Sequence, residues 1–276
     1  PPGSPGGVFE PRYTTGRYEF GSWLGERGEA VAAIGGSEQG VWPAELQDKE
    51  RYTRAGAGDL GAGDINDPNA EHKRTDFLSL RDFALGAADA LGDLARCYKY
   101  WIALTDCDGF RIDTLKHVSL EEARNFCGTI KEFAANLGKE KFFLVGEIAG
   151  GDYAEERYLD VLQRNLDAAL DIGGMRLTLN RVAQGLAHPA AYFSGFDPGD
   201  AEMGSHRNLG DRHVSILDDH DHVFGEKLRF SSNAPSEHAE HQVVAGVALQ
   251  LFTLGIPCVY YGTEQAFAGP EASERQ

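Results

Sequence analysis

From Ser79 onward, the apolar positions of this chain alternate between helical and extended spacing. Residues 80–104 place Leu80, Phe83, Leu91, Leu94, Tyr98, Trp101 and Ile102 at broadly helical intervals, which predicts a helix. Gly109–Asp113 reads as a strand and Leu120–Leu137 as a helix. Lys141–Glu147 reads as a second strand, and its unbroken run Phe142-Phe143-Leu144-Val145 predicts burial on both faces. Tyr153–Arg164 is helical in pattern, Leu166–Ile172 extended and Gly174–Leu186 helical. His213–Leu217 reads as a strand, Glu237–Leu254 as a helix and Pro257–Tyr261 as a strand. This order predicts βαβ units on a parallel sheet. The pattern yields five strands where a closed (β/α) barrel needs eight, and no internal repeat is present.

Residues 1–75 are different. They are rich in glycine, proline and polar residues, and Ala55–Asp64 alternates small residues that give a core nothing to pack against. The segment reads as an irregular insertion with turns. A loop region this long inside a compact domain is either functional or part of a larger unit. Pro1–Gly7 has no apolar core, so no signal peptide is visible there. The most apolar stretch, Val243–Tyr261, is interrupted by Gly255 and Pro257. It reads as a buried helix followed by a buried strand, not a membrane span.

Charge narrows the partners. The net charge is −17 and the pI about 4.9, which argues against nucleic acid or an anionic membrane and is compatible with a neutral substrate. Cys97, Cys107, Cys127 and Cys258 are irregularly spaced with no CxxC; they argue against zinc, read as buried free thiols and leave a disulfide open. His188, His206, His213, His222, His238 and His241 form no metal motif, and His238 and His241 read as surface residues. The glycine-rich segments lack the strand–turn–helix context of a dinucleotide site. Tyr192, Phe193 and Phe196 read as packing for a loop, with stacking on sugar rings as the alternative.

Chemistry concentrates at the predicted strand ends. Phe110 and Ile112 alternate with charged residues, so one face of that strand packs and the other is free for chemistry. Arg111 and Asp113 are two apart and leave the same side, where an arginine holds a carboxylate ionised and in place. Asp113, Glu147 and Asp221 all sit at or just beyond a predicted C-terminal strand end, the end that carries the active site of a parallel barrel. A lone acid at a strand end is more often a helix cap or a solvated loop residue. Three of them converging on one pocket match the needs of glycosidic cleavage: an acid for the leaving oxygen, a carboxylate nucleophile, and negative charge near an oxocarbenium-like ring.

Gly109-Phe110-Arg111-Ile112-Asp113-Thr114-Leu115-Lys116-His117-Val118 resembles the fourth-strand motif of the α-amylase superfamily, glycoside hydrolase family 13. Phe143-Leu144-Val145-Gly146-Glu147 resembles its fifth-strand motif, and Ser215-Ile216-Leu217-Asp218-Asp219-His220-Asp221 its seventh. Ile256–Gln265 resembles the eighth strand and the loop after it. The resemblance implies that Asp113 is the nucleophile with Arg111 beside it, Glu147 the general acid/base, and Asp221 the transition-state stabiliser. It places Lys116, His117 and His220 at the sugar. Ser79-Leu80-Arg81-Asp82-Phe83 resembles the short motif ending the family's domain B, which implies a contribution of Asp82 to a calcium site. The implied architecture is a partial (β/α)8 TIM barrel, strands four to eight, over residues 79–276, preceded by an irregular domain-B-like segment over 1–78.

Two departures from the family pattern stand out. Asp219 occupies the place where the seventh-strand motif usually has Asn, and an added carboxylate there is expected to raise a neighbour's pKa. The third-strand motif and the first two strands are absent, so the chain is expected to begin inside domain B and to stop after the eighth strand. Such an open half-barrel exposes sheet edges and apolar helix faces, for missing strands or self-association to cover. The activity expected is retaining hydrolysis of α-glucosidic bonds in oligo- or polysaccharides. Transfer or isomerisation of α-glucosides, or a non-catalytic amylase-like module that binds sugar or protein, are the alternatives.

Overall fold

The computed structural model describes residues 23–24, 29–31, 44–48, 51–52, 73, 82–86, 89–147, 164–196, 210–221, 229–234 and 237–268. The glycine-rich run Ala55–Asp64 and nearly all of the expected helix Tyr153–Arg164 lie outside them, as do His206 and His222. The chain divides into two compact units, one of residues 1–109 with 115–143 and the other of 110–114 with 144–276.

The first unit holds a short antiparallel pair, β1 (Trp23–Leu24) with β2 (Ala30–Val31), and two long helices, α1 (Ala90–Thr105) and α2 (Leu120–Asn136). Helix α1 begins ten residues later than its apolar spacing predicts, after Asp89 adopts a left-handed conformation at φ 67°. Phe83 instead bridges Tyr52 and meets its ring edge-on at 5.3 Å. The buried face of α1 is Ala90, Asp93, Ala95 and Ile102, while Tyr100, Trp101 and Leu104 are exposed. Asp93 is buried as an ion pair, with Arg51 Nη1 at 2.7 Å and Arg96 one turn on.

Helix α2 buries Ala123, Cys127, Ile130 and Ala134, a spacing of three to four that puts them on one stripe. Tyr98 of α1 packs edge-on against Phe126 at 5.5 Å. The start of α2 is a capping box: the Ser119 hydroxyl accepts from the Glu122 amide, and the Glu122 carboxylate accepts from the Ser119 amide at 3.1 Å. Ser119→Ala is expected to cost about 1 kcal/mol, read as a lower urea midpoint at unchanged slope. An unchanged midpoint would remove the cap from the stability of this helix.

The five-stranded sheet runs in sequence order: β3 (Gly109–Ile112), β4 (Phe143–Gly146), β5 (Ala168–Leu170), β6 (His213–Ser215) and β7 (Ile256–Pro257). Pairing is parallel, with Val145 opposite Ala168, Ala169 opposite His213 and Val214 opposite Ile256. Sequential parallel neighbours joined by crossovers are the α/β arrangement expected of strands four to eight of a barrel. Gly109 is required at the start of β3, because a Cβ there would lie 2.2 Å from the Phe143 carbonyl oxygen.

Three expectations need correction. The β4 run is not buried on both faces: Phe142 and Leu144 are buried, but Phe143 is 37% exposed. The last strand is Ile256–Pro257 rather than Pro257–Tyr261. Only Cys258 continues the pairing, donating to the Ser215 carbonyl at 3.0 Å, before Tyr260 and Tyr261 turn onto the Arg229 guanidinium at 4.4 and 4.8 Å. The four cysteines are free, but only Cys127 is buried and Cys258 is exposed.

Helices α3 (Gly174–Ala183), α4 (Ala190–Phe193), α5 (Phe230–Asn233) and α6 (Ala239–Phe252) belong to the second unit. Its core joins Leu179, Ala183, Tyr192, Phe196, Leu217, Phe230 and Val243. Tyr192 and Phe196 thus pack, as the sequence predicts, while Phe193 is exposed. His213 is buried, 3.6 Å from Asp171 and edge-on to Phe196. Gly246 lets α6 approach the sheet; a Cβ there would meet a Leu217 methyl at 2.8 Å. Val244, Leu251 and Phe252 on α6 are exposed. Among the described residues no helix is long and apolar enough to cross a membrane.

Candidate active site

Ladder geometry puts the first two acids side by side. The Glu147 amide donates to the Ile112 carbonyl at 2.8 Å, so the end of β4 lies beside the end of β3. At the turn after β3, Thr114 takes a left-handed conformation, φ 54°, and its amide donates to Glu147 Oε2 at 2.7 Å. The same turn presents Asp113, whose Oδ1 accepts from Arg111 Nη1 at 2.6 Å. The expected Arg111–Asp113 pair is therefore formed, and both side chains face solvent.

Glu147 is the contrast, at 9% exposure. Burial raises its pKa above the ordinary glutamate value; the Thr114 amide opposes this, Asp113 and Asp221 add to it, and Arg111 subtracts. Besides burial and the Thr114 amide, the charges of Asp113, Arg111 and Asp221 act on this one carboxyl. Asp113 and Asp221 are exposed and Glu147 is shielded, so the carboxyl groups are of unlike character.

The loop after β6 carries the remainder. His220 Nε2 lies 3.0 Å from Asp221 Oδ2, and the Asp221 amide donates to Asp219 Oδ1 at 2.8 Å. Asp218 points the other way and is buried. It accepts from the Thr263 hydroxyl at 2.6 Å and from the Phe230 amide at 2.8 Å, tying the loop to α5 and to the segment after β7. Burial raises the Asp218 pKa, and those two donors oppose the rise.

On top of burial, Asp219 adds to the raised pKa of Cys258 and of Tyr260, the effect expected of a carboxylate at this place. It is absent from the charges that perturb Glu147, and its Oδ2 accepts from Arg176 Nη1 at 2.7 Å. The pairing offsets the added carboxylate. Arg176 itself, buried on α3, was not foreseen: a lone arginine in a helix carries no sign of a partner 43 residues on.

Lys116 and His117 form the short turn Leu115–His117, with Lys116 buried and His117 half-buried. Asp82 is half-buried next to the Tyr52–Phe83 bridge. Calcium takes about six to eight oxygen ligands. Among the described residues no group of three or more His, Cys, Asp or Glu side chains is placed to hold a metal ion.

Residues 71–276 match the family model described as alpha amylase, catalytic domain. The α-amylase of Streptomyces lividans is 27% identical over 223 residues, covering 74% of this chain and 24% of that protein. A β/α-amylase of Paenibacillus polymyxa is 30% identical over 219 residues, covering 77% of this chain and 16% of that protein. The crystal structure of an Anoxybacillus α-amylase superposes with a TM-score of 0.59 at 25% identity, over 74% of this chain and 42% of that one. This chain therefore spans a quarter or less of the two curated relatives and under half of the solved structure. The parallel sheet, the acids at its strand ends and the family match agree: the chain belongs to the α-amylase family of glycoside hydrolases.

Proposed function

We propose that this chain carries the retaining catalytic centre of an enzyme that hydrolyses α-glucosidic bonds in oligo- or polysaccharides. One observation carries the reading: the shielded Glu147 carboxyl sits at the turn that bears Asp113, held by the Thr114 amide at 2.7 Å. A raised pKa favours the protonated form that a general acid needs, and the two exposed acids are assigned the nucleophilic and charge-stabilising roles.

In the proposed reaction, Glu147 gives its proton to the glycosidic oxygen as Asp113 attacks the anomeric carbon. The C–O bond to the leaving sugar breaks and a glycosyl ester forms on Asp113. Glu147, now a carboxylate, takes a proton from water, whose oxygen attacks the same carbon and frees Asp113. Two inversions give net retention. Asp221 stabilises the positive ring in both transition states, and Arg111 holds Asp113 in line. His220, Lys116 and His117 are assigned to sugar hydroxyls.

Proton NMR of a maltooligosaccharide digest tests this directly. The first product formed is expected to be the α-anomer, before mutarotation. A β-anomer would end the retaining assignment, and products longer than the substrate would replace hydrolysis with transfer.

A further inference from the structure

The site poses a question of position. Asp221 lies six residues beyond the end of β6, on an exposed loop, with its side chain 55% exposed. An exposed loop is a poor place to fix a charge against a sugar ring. A backbone anchor exists, the Asp221 amide on Asp219 Oδ1. By itself that is a local turn contact. The other oxygen of the same carboxylate makes it more, because Oδ2 is held by Arg176, whose side chain is only 8% exposed.

Arg176 is anchored in turn. It stands on α3 one turn before Leu179, in the core of the unit. Asn180 on the same helix donates both to the Arg176 carbonyl at 2.9 Å and to the Leu217 carbonyl at 3.0 Å, joining α3 to the start of the loop. A continuous series of contacts thus runs from the core helix through two oxygens of one carboxylate to the Asp221 amide.

We infer that Arg176 and Asp219 form a charge-balanced bracket that positions Asp221, so that Asp219 requires Arg176 while an asparagine at 219 would not. The inference rests on the proposed role of Asp221. Both Asp and Asn can offer Oδ1 to the Asp221 amide. Only the carboxylate adds a negative charge two residues from Asp221, at 17% side-chain exposure, which needs a partner cation. Arg176 and Asp219 are positioning residues, since neither is assigned a contact with substrate.

The test is a double-mutant cycle with Arg176→Met, Asp219→Asn and the pair, on the full 276-residue chain. Arg176→Met alone is expected to lower kcat on maltoheptaose about thirtyfold with little change in KM. Asp219→Asn alone should cost about threefold, and the double variant should recover to about that level. A double variant no better than Arg176→Met, or an Arg176→Met enzyme equal to the parent, overturns the bracket. A second readout needs no turnover: hydrogen-exchange protection of the Asp221 amide, followed by NMR. Protection lost in Arg176→Met and regained in the double variant supports the bracket, and equal protection in every variant overturns it. A parent chain that cleaves no glucan while the amide behaves as expected defeats the proposed function and leaves the bracket standing.

Discussion

Asp113→Asn is expected to lower turnover of maltooligosaccharides by roughly six orders of magnitude, the scale on which removal of a covalent nucleophile acts. The loss is chemical rather than structural. Asp113 is 64% exposed and its Arg111 partner 36%, so their ion pair contributes little to stability, on the order of 0–1 kcal/mol. The variant should therefore melt with the parent while losing activity. A stronger form of the experiment uses Asp113→Ala with added azide. The shortened side chain leaves room on the face from which Asp113 is proposed to attack. Azide entering there displaces an activated leaving group once, with inversion, and an α-glucoside yields a β-glycosyl azide. An α-azide, or full activity without azide, would take the nucleophile's role away from Asp113.

Much of this arrangement is legible in the sequence, for physical reasons that also mark where legibility ends. The strand before Asp113 can be read because Phe110 and Ile112 alternate with Arg111 and Asp113, a period of two that survives without any knowledge of neighbours. The parallel sheet follows from strands alternating with helices, and its sequential order follows from the handedness of crossovers. Asp113 and Glu147 stand out because they close predicted strands. What is lost is set by tertiary contact. Helix α1 starts at Ala90 and not near Leu80, since Phe83 finds a partner in Tyr52, far back in a segment with no period of its own. Phe143 belongs to an apolar run, yet stands partly in solvent.

The clearest gap is Asp219. Read alone, it is an added negative charge two residues from Asp221. The structure turns it into half of an ion pair, with Arg176 supplied by another crossover. Pairings between crossovers leave no periodic trace, so local reading does not find the pair. Thr114 is similar: its left-handed backbone aims an amide at Glu147, and no residue preference announces it.

Glu147→Gln carries the other large effect, about a thousandfold in kcat on a natural glucan, as expected for loss of a general acid. The size should depend on the leaving group. A sugar alkoxide needs the proton, whereas a nitrophenolate does not, so 4-nitrophenyl maltoside should form the glycosyl ester at nearly the parent rate and then stall at hydrolysis. Azide added to Glu147→Ala attacks that ester from the water side and gives the α-azide, the opposite outcome to Asp113→Ala. The pH dependence follows from the raised pKa of Glu147. In the proposed role its protonated form is the competent one, so kcat/KM of the parent should fall as pH rises through that raised value, and Gln, which cannot titrate, should abolish this limb. Stability runs in the same direction. A carboxyl whose pKa is higher folded than unfolded binds its proton more tightly in the fold, so the parent loses stability as pH rises through that window. Gln keeps a carbonyl oxygen for the Thr114 amide and has no charge to bury. Glu147→Gln should therefore melt above the parent at pH 7, with the difference shrinking toward pH 4. A variant less stable than the parent at pH 7, with an unchanged alkaline limb, would mean that the buried carboxyl serves the fold and that the proton comes from elsewhere.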